Sequence, residues 1–213
     1  MSYCLYDYFR STASYRVRIV LNLKNLTHQL KEIHLVNNGG EQFSDNYRSI
    51  NPQQLVPTLT DDNAHLAISQ SLAIIASLEA LHPEPRLYPS DAGLKALVQS
   101  LALQICCDIH PLNNLRVLKY LTGTLSLSEQ QKMDWYHHWI HQGFQAIEKQ
   151  LHQYSKQGEF CFGNQPTLAD ICLIPQVYNA KRFDVDLTNY PMIQSINAHC
   201  LTLETFSQAA PTQ

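Results

Sequence analysis

The chain has 213 residues, of which 45% are hydrophobic and 15% charged, and its 15 basic and 18 acidic side chains give a formal charge of −3. This slightly acidic balance argues against a nucleic-acid partner bound through a basic surface, because such binding depends on Lys and Arg neutralising phosphates. A chain of this length can fold around its own core without disulfides or a metal, and its ordinary apolar content argues against disorder.

The N-terminus and the cysteines favour a cytoplasmic protein. Residues 1–11 contain neither a basic region nor an apolar region of the kind that marks a protein for export. No stretch reaches the roughly 18 consecutive apolar residues of a membrane span. The six cysteines are scattered without C-x-x-C spacing, so we expect reduced thiols that pack as small apolar groups. We therefore expect a cytoplasmic location and no membrane partner.

The first 82 residues alternate between short strands and helices. The apolar periodicity predicts strands over 3–8, 28–36, 56–60 and 65–68, a helix over about 14–26, and a second helix that has Ile74, Leu78 and Leu81 on one face and stops before Pro83. The polar run 61–63 predicts the turn of a hairpin between the last two strands. The order strand, helix, strand, irregular segment, strand, strand, helix is typical of a thioredoxin-like domain.

From about Asp91 the apolar spacing is helical throughout. Ser128 and Thr167 each begin a capping-box pattern before a long apolar stripe, and Pro191 is placed as the first residue of a last helix. The final few residues have no periodicity, so we expect a loose tail. The proline-rich segment 82–89 separates an α/β domain over 1–82 from an all-helical domain over 90–213.

Five segments carry a resemblance to a known family. They lie at 10–19, 51–59, 70–75, 111–115 and 179–187, and in this order they resemble motifs of the zeta class of soluble glutathione transferases. The resemblance runs nearly end to end. It implies a thioredoxin-like domain that binds glutathione as cofactor, a helical domain that contributes the substrate site, and a homodimer.

Ser11 and Thr12 lie where the first predicted strand turns into the first predicted helix. Unpaired backbone N–H groups and the positive end of the helix dipole favour an anion at such a position. A thiolate there has a lowered pKa, and a serine hydroxyl can donate a hydrogen bond to its sulfur. Simple capping of the helix by the same hydroxyls is the competing interpretation.

The resemblance implies further glutathione contacts. In the family, the peptide bond corresponding to Val56–Pro57 is cis. The backbone at the position of Val56 then pairs with the peptide backbone of glutathione. A trans proline at an edge strand is the alternative interpretation. Gln70 and Ser71 begin the next helix and suit the γ-glutamyl carboxylate, although they also suit capping. The remaining predicted contacts are Gln42, His110 and Asn114.

Arg10 and Arg182 are the predicted substrate-binding arginines, with Arg116 as a weaker possibility. The resemblance implies small dicarboxylate-type substrates, and a guanidinium group binds a carboxylate through two hydrogen bonds. The competing interpretation for each arginine is an ordinary surface ion pair.

Two features limit the chemistry. Ala13 stands where the zeta-class motif usually has cysteine, which excludes a protein thiol nucleophile at this position and leaves the sulfur of glutathione. His137 and His141 have the spacing of a zinc motif, but its acidic residue and a third ligand are missing, so we predict no metal site.

The resemblance implies a glutathione-dependent cis–trans isomerase in which Ser11, Arg10 and Arg182 carry the catalysis. The expected reaction converts maleylacetoacetate to fumarylacetoacetate in tyrosine and phenylalanine breakdown: the thiolate adds to the conjugated cis double bond, the resulting single bond rotates, and elimination releases the trans product. The alternatives are isomerisation of maleylpyruvate in gentisate breakdown, general glutathione transfer, and a non-catalytic adaptor with the same fold.

Overall fold

The computed structural model describes residues 2–61, 66–155 and 158–211, apart from the side chain of Asn38. The chain divides into two units, one made of Met1–Arg86 together with Glu204–Gln213 and the other of Leu87–Leu203. Most of the hairpin turn predicted over 61–63 lies outside the described residues.

The first unit is built on a four-stranded mixed sheet. Its strands are β1 (Tyr3–Asp7), β2 (His28–Glu32), β3 (Thr58–Asp61) and β4 (Leu66–Ser69), in the order β2-β1-β3-β4. β1 runs parallel to β2 and antiparallel to β3, and β3 runs antiparallel to β4. The helices of this unit are α1 (Thr12–Leu23), α2 (Asp45–Ile50) and α3 (Ser71–Leu81). The predicted thioredoxin-like order of elements is confirmed.

In the second unit the described elements are helices, apart from an isolated bridge between Phe160 and Gly163. Its helices are α4 (Ala92–Leu103), α5 (Leu115–Gly123), α6 (Glu129–Tyr154), α7 (Leu168–Arg182) and α8 (Pro191–Thr202), and a π-helix over Gln104–Ile109 extends α4. Both predicted capping boxes are present, Ser128 with Gln131 at the start of α6 and Thr167 with Asp170 at the start of α7. α7 is the central helix of this unit, since 12 of its 15 residues are buried.

The end of the chain differs from the sequence expectation. A short helix α9 (Glu204–Ser207) and the described residues after it, up to Pro211, belong to the first unit rather than to the helical domain 90–213, and they are not a loose tail. The hydroxyl of Tyr15 donates to the carbonyl of Phe206 at 3.1 Å, and Nε of Arg18 donates to the carbonyl of Ala209 at 2.9 Å. These bonds, with the buried ring of Phe206, hold the segment against α1. The first unit continues to Arg86, four residues beyond the predicted boundary.

One helical stretch of the described residues, Ala92–Gly123, is apolar and long enough to cross a membrane by length and composition alone. Helices in the core of soluble proteins pass the same test, so the feature is weak evidence for a membrane. Only 28% of its most apolar 18-residue window is buried. Most of this window is therefore not buried within the structure.

Candidate functional site

A buried ion pair holds the loop between β1 and α1 in place. Arg18 donates through Nη1 to both carboxylate oxygens of Asp7, at 2.6 and 2.8 Å, and through Nη2 to the carbonyl of Phe9 at 3.0 Å. Both side chains of the pair are 8% exposed. Because Asp7 ends β1 and Arg18 lies on α1, the pair fixes the short loop that carries Arg10 and Ser11.

Ser11 is the N-cap of α1. Its Oγ accepts a hydrogen bond from the backbone N–H of Ser14 at 3.2 Å, and its backbone is extended. The capping interpretation is therefore correct. It does not exclude a role for Ser11 in stabilising a thiolate, because the hydroxyl hydrogen is still available for donation. Thr12 is the first residue of α1 and is buried.

The loop between α2 and β3 ends in a cis peptide bond between Val56 and Pro57, as the family resemblance implies. Two side chains hold this loop in place. Asn51 donates through Nδ2 to the carbonyl of Leu55 at 2.8 Å, and the hydroxyl of Tyr47 donates to the same carbonyl at 2.6 Å. The backbone of Val56 is thus presented by a fixed loop.

The start of α3 combines a strained backbone with a buried cation. Gln70 has a φ of 71°, a left-handed conformation that is rare outside glycine and clusters at functional sites. Its side chain donates to Oε1 of Gln53 at 2.9 Å. The hydroxyl of Ser71, the first residue of α3, accepts from Nη1 of Arg16 at 3.3 Å.

Arg16 is only 2% exposed, and no ion pair among the described residues includes it. Its Nε and Nη2 have no hydrogen-bond partner within the part of the chain that the structure describes. A buried guanidinium group normally has its charge compensated. The start of α3 therefore offers an anion a buried positive charge, a hydroxyl and the unpaired N–H groups of a helix terminus.

Gln42 is buried in a 3₁₀ turn over Glu41–Phe43. A Cβ added at Gly40 would lie 2.6 Å from its side-chain nitrogen, and Gly40 has a φ of 111°, so only glycine fits above this amide. Oε1 of Gln42 lacks a hydrogen-bond partner among the described residues.

In the second unit, Arg182 lies at the end of α7 and packs against an aromatic side chain. The guanidinium of Arg182 lies 5.0 Å from the ring centre of Phe183, and that ring packs on Tyr136 with 4.1 Å between centres. Nε2 of His137 lies 2.8 Å from the carbonyl oxygen of Phe183, which fixes the residue that ends the helix. Tyr136 is fully buried, and burial raises its pKa well above the usual tyrosine range.

Arg10, Arg116 and Arg182 are all exposed. None of the ion pairs found among the described residues involves any of them. The guanidinium of Arg10 instead lies 5.0 Å from the ring centre of Phe9. The competing ion-pair interpretation thus finds no support within the described part of the chain, and the three arginines can bind an external anion.

His110 and Asn114 lie at the junction between the π-helix and α5. His110 is half-buried and follows the π-helix directly, and its backbone N–H donates to the carbonyl of Ile105 at 2.9 Å. Asn114 is the N-cap of α5, accepting from the backbone N–H of Arg116 at 3.2 Å. A glutathione contact at either residue stays a prediction.

The two histidines with zinc-like spacing have other partners. His137 binds the carbonyl of Phe183, and Nδ1 of His141 lies 2.8 Å from the hydroxyl of Tyr190. Within the described residues there is no group of three potential metal ligands.

A groove of about 460 Å³ lies between the π-helix and α6 in the second unit. Its lining combines apolar side chains such as Ile109 and Trp139 with polar ones such as Gln104, and it contains none of the predicted site residues. It therefore does not take part in the site described above.

Four residues that support the site were not predicted from the sequence: Asp7, Arg16, Arg18 and Tyr136. The signal for the two arginines is visible in the chain, because they stand among apolar residues on the buried side of α1. The partners of Arg18 and Arg16 could not be predicted, since Asp7 and Ser71 lie on other elements of the first unit.

Comparison with known proteins agrees with this geometry. The glutathione S-transferase N-terminal domain matches residues 5–86, and the glutathione S-transferase C-terminal domain matches residues 140–198. The chain is 48% identical, over 99% of its length and 96% of the relative's, to a probable maleylacetoacetate isomerase of Vibrio cholerae. This chain belongs to the glutathione transferase family.

Further relatives place it in the zeta class of that family. It is 45% identical to a maleylpyruvate isomerase of a Ralstonia species, over 97% of this chain and 96% of the relative. A bacterial zeta-class maleylpyruvate isomerase in its holo form has a TM-score of 0.93 at 44% identity, with 98% of this chain and 96% of that one covered.

A maleylacetoacetate isomerase of Methylobacterium extorquens AM1, solved with bound malonate and glutathione, has a TM-score of 0.92 at 32% identity, with 98% of this chain and 96% of that one covered. The family's cofactor is thus glutathione, which is itself an anion with a γ-glutamyl carboxylate and a thiol. The unpartnered donors of buried Arg16 beside Ser71 fit a carboxylate, and the N-terminus of α1 fits a thiolate.

Proposed function

We propose that this zeta-class glutathione transferase isomerises maleylacetoacetate to fumarylacetoacetate, a step in the breakdown of tyrosine and phenylalanine. The observation that carries the proposal is Ser11 at the N-terminus of α1, in a unit that matches the glutathione-binding domain of the family. Near-full-length identity of 48% to a probable maleylacetoacetate isomerase supports this substrate.

Bound glutathione supplies the thiol that adds reversibly to the conjugated double bond. The chain's own contribution begins at Ser11, whose hydroxyl donates to the sulfur and stabilises its ionised form. The positive end of α1 adds to this effect, because unpaired N–H groups there lower the pKa of a thiol. Thr12, as the first residue of α1, lies on the same helix terminus.

The remaining groups hold the cofactor by its polar ends. Gln70 and Ser71 bind the γ-glutamyl carboxylate through the first N–H groups of α3, and Arg16 compensates its charge. The backbone of Val56 pairs with the peptide portion, and Gln42 supplies a buried amide. His110 and Asn114 remain predicted glutathione contacts.

The substrate is a small anion, and the exposed arginines bind its carboxylates. Arg182 is the principal residue, because Phe183 and Tyr136 hold its position at the end of α7. The backbone next to Arg10 is held by Arg18, which pairs with Asp7 and donates to the carbonyl of Phe9. Holding the carboxylates orients the substrate while the single bond left by thiolate addition rotates.

The apolar, weakly buried stretch Ala92–Gly123 supports a homodimer in which a second copy covers it. Light scattering on the purified chain tests this, with twice the monomer mass as the expected result. Association with lipid vesicles by a monomeric chain would instead contradict both the dimer and a cytoplasmic location.

The function is tested by assaying the purified chain with glutathione against maleylacetoacetate and maleylpyruvate in parallel. We expect faster turnover of maleylacetoacetate and none without glutathione. Faster turnover of maleylpyruvate would favour the second candidate, which the 45% identity to the Ralstonia enzyme supports. A chain that fails to bind immobilised glutathione and turns over neither substrate would point to a non-catalytic adaptor.

A further inference from the structure

Two cysteines on different elements of the second unit have their sulfur atoms in contact. Cys106 lies on the π-helix that extends α4, and Cys172 lies on α7. Their Sγ atoms are 3.7 Å apart. All six cysteines of the chain are described, and none of them is in a disulfide.

The two thiols differ in exposure in a way that suits sequential oxidation. Cys172 is completely buried, whereas Cys106 is half-buried and accessible to a small oxidant. A disulfide needs a sulfur–sulfur distance of about 2.05 Å, so the two atoms must approach by roughly 1.7 Å. Side-chain rotation at Cys106, together with the irregular backbone of a π-helix, can supply a movement of this size.

The other cysteines are less suited to such a reaction. Burial and the nearby Asp170 raise the pKa of both the Cys161 and the Cys200 thiols, which keeps them in their unreactive protonated form. Cys107 is exposed but precedes Asp108 on the π-helix, where its side chain projects about 100° away from that of Cys106. Among the six described cysteines, Cys106 and Cys172 therefore form the pair in which a half-buried thiol is in contact with a second thiol.

We propose that Cys106 and Cys172 form a reversible disulfide when the protein meets a peroxide. The Cys106 thiolate attacks one oxygen of hydrogen peroxide, the O–O bond breaks, and the departing hydroxide takes a proton and leaves as water. Cys172 then loses its proton and attacks the oxidised sulfur of Cys106, so that the S–S bond forms as the S–O bond breaks. The released hydroxide takes that proton, and the balance is two thiols and one peroxide to one disulfide and two waters.

Reduction requires a thiol, and glutathione is the family's own cofactor. A glutathione thiolate attacks the Cys106 sulfur and releases Cys172. A second glutathione then attacks the sulfur of the bound glutathione, which releases the Cys106 thiol and forms glutathione disulfide. The disulfide joins the π-helix to α7 within the second unit. This proposal uses no residue of the proposed catalytic site and holds whether or not the isomerase activity is confirmed.

The test is oxidation of the full, reduced chain with one equivalent of hydrogen peroxide, followed by alkylation and mass spectrometry. We expect a loss of two hydrogen atoms from the intact mass, a Cys106–Cys172 cross-link in the fragment spectra, and full reversal by glutathione. Cys106→Ser and Cys172→Ala should each abolish the cross-link, whereas Cys107→Ser should form it as readily as the unchanged chain.

The half-buried Cys106→Ser is the variant expected to fold normally, and near-ultraviolet circular dichroism checks this for each protein before oxidation. Three results would overturn the proposal: a Cys106–Cys107 cross-link in place of the expected one, accumulation of sulfinic acid on Cys106 without a cross-link, or an unchanged mass loss in Cys106→Ser.

Discussion

Ser11 has two roles that a single substitution can separate. Its Oγ caps α1, and in our proposal its hydroxyl also stabilises the thiolate of glutathione. We expect Ser11→Ala to lose about 1 kcal/mol of stability with the cap. Turnover should fall steeply, while the affinity for glutathione stays nearly unchanged because the polar ends of the cofactor are held elsewhere.

The matched control for this prediction is Ser128→Ala, which removes the cap of α6. It should lose similar stability in chemical denaturation but keep full turnover. If Ser11→Ala keeps the same turnover as Ser128→Ala, the hydroxyl has no part in the reaction.

Arg18 and Arg48 make an informative pair of arginines. Arg18 pairs with Asp7 in a buried setting, whereas Arg48 pairs with Asp45 at 51% and 95% side-chain exposure. We expect Arg18→Ala to destabilise the first unit by roughly 3–5 kcal/mol, because it leaves a buried carboxylate without its partner. Arg48→Ala should change stability by less than about 1 kcal/mol. Urea denaturation of both variants measures the difference, and equal effects would contradict the structural role of the buried pair.

Tyr136 predicts a dependence of stability on alkaline pH. Burial raises its folded-state pKa far above the unfolded value of 10.0, so the hydroxyl ionises first in the unfolded chain. Its contribution is therefore complete below pH 10 and is lost as the pH rises above it, by up to about 1.4 kcal/mol per pH unit. Tyr136→Phe should flatten the decline in denaturation midpoint above pH 10. Tyr120→Phe, at a residue that is 55% exposed, should leave it unchanged.

At the scale of elements, the start of α7 depends on one buried carboxylate. Asp170 accepts from the backbone N–H of Cys161 at 2.7 Å, from that of Thr167 at 2.8 Å and from the hydroxyl of Thr167 at 2.9 Å. We expect Asp170→Ala to destabilise the second unit by about 3 kcal/mol or more, since three buried donors lose their acceptor.

The control for this element is Asp91→Ala at the exposed start of α4, where a single N–H, that of Leu94, loses its acceptor. A loss of about 1 kcal/mol is expected there. Similar losses for the two variants in thermal denaturation would show that burial of the α7 cap adds nothing.

The helices and strands themselves were largely predictable from the sequence. Local signals mark their starts, such as Ser128 with Gln131 and Thr167 with Asp170, because a capping box involves residues only three positions apart. β2 is an exception and ends at Glu32 instead of near Val36. Its length depends on pairing with β1, which also ends at Asp7 in the matching register.

At the scale of the molecule, the last residues of the chain stabilise the first helix. Phe206 is completely buried, and its carbonyl and that of Ala209 accept hydrogen bonds from α1. We expect Phe206→Ala to cost about 3–5 kcal/mol in the first unit and to reduce retention on immobilised glutathione, because α1 carries Ser11. Leu201→Ala, at a residue that is 37% exposed on α8, should change neither property. Normal stability of Phe206→Ala would contradict this role of the C-terminal segment.

The sequence by itself determined the order of elements, several of the helix starts and the motifs that identify the family, since each depends on residues close together along the chain. The tertiary structure alone decided which distant groups meet. It brought Arg16 to Ser71, Arg18 to Asp7 and the last residues to α1, and it put Cys106 in contact with Cys172. Partners of this kind are selected by burial and by the geometry of packed elements, and a spacing pattern contains no information about either.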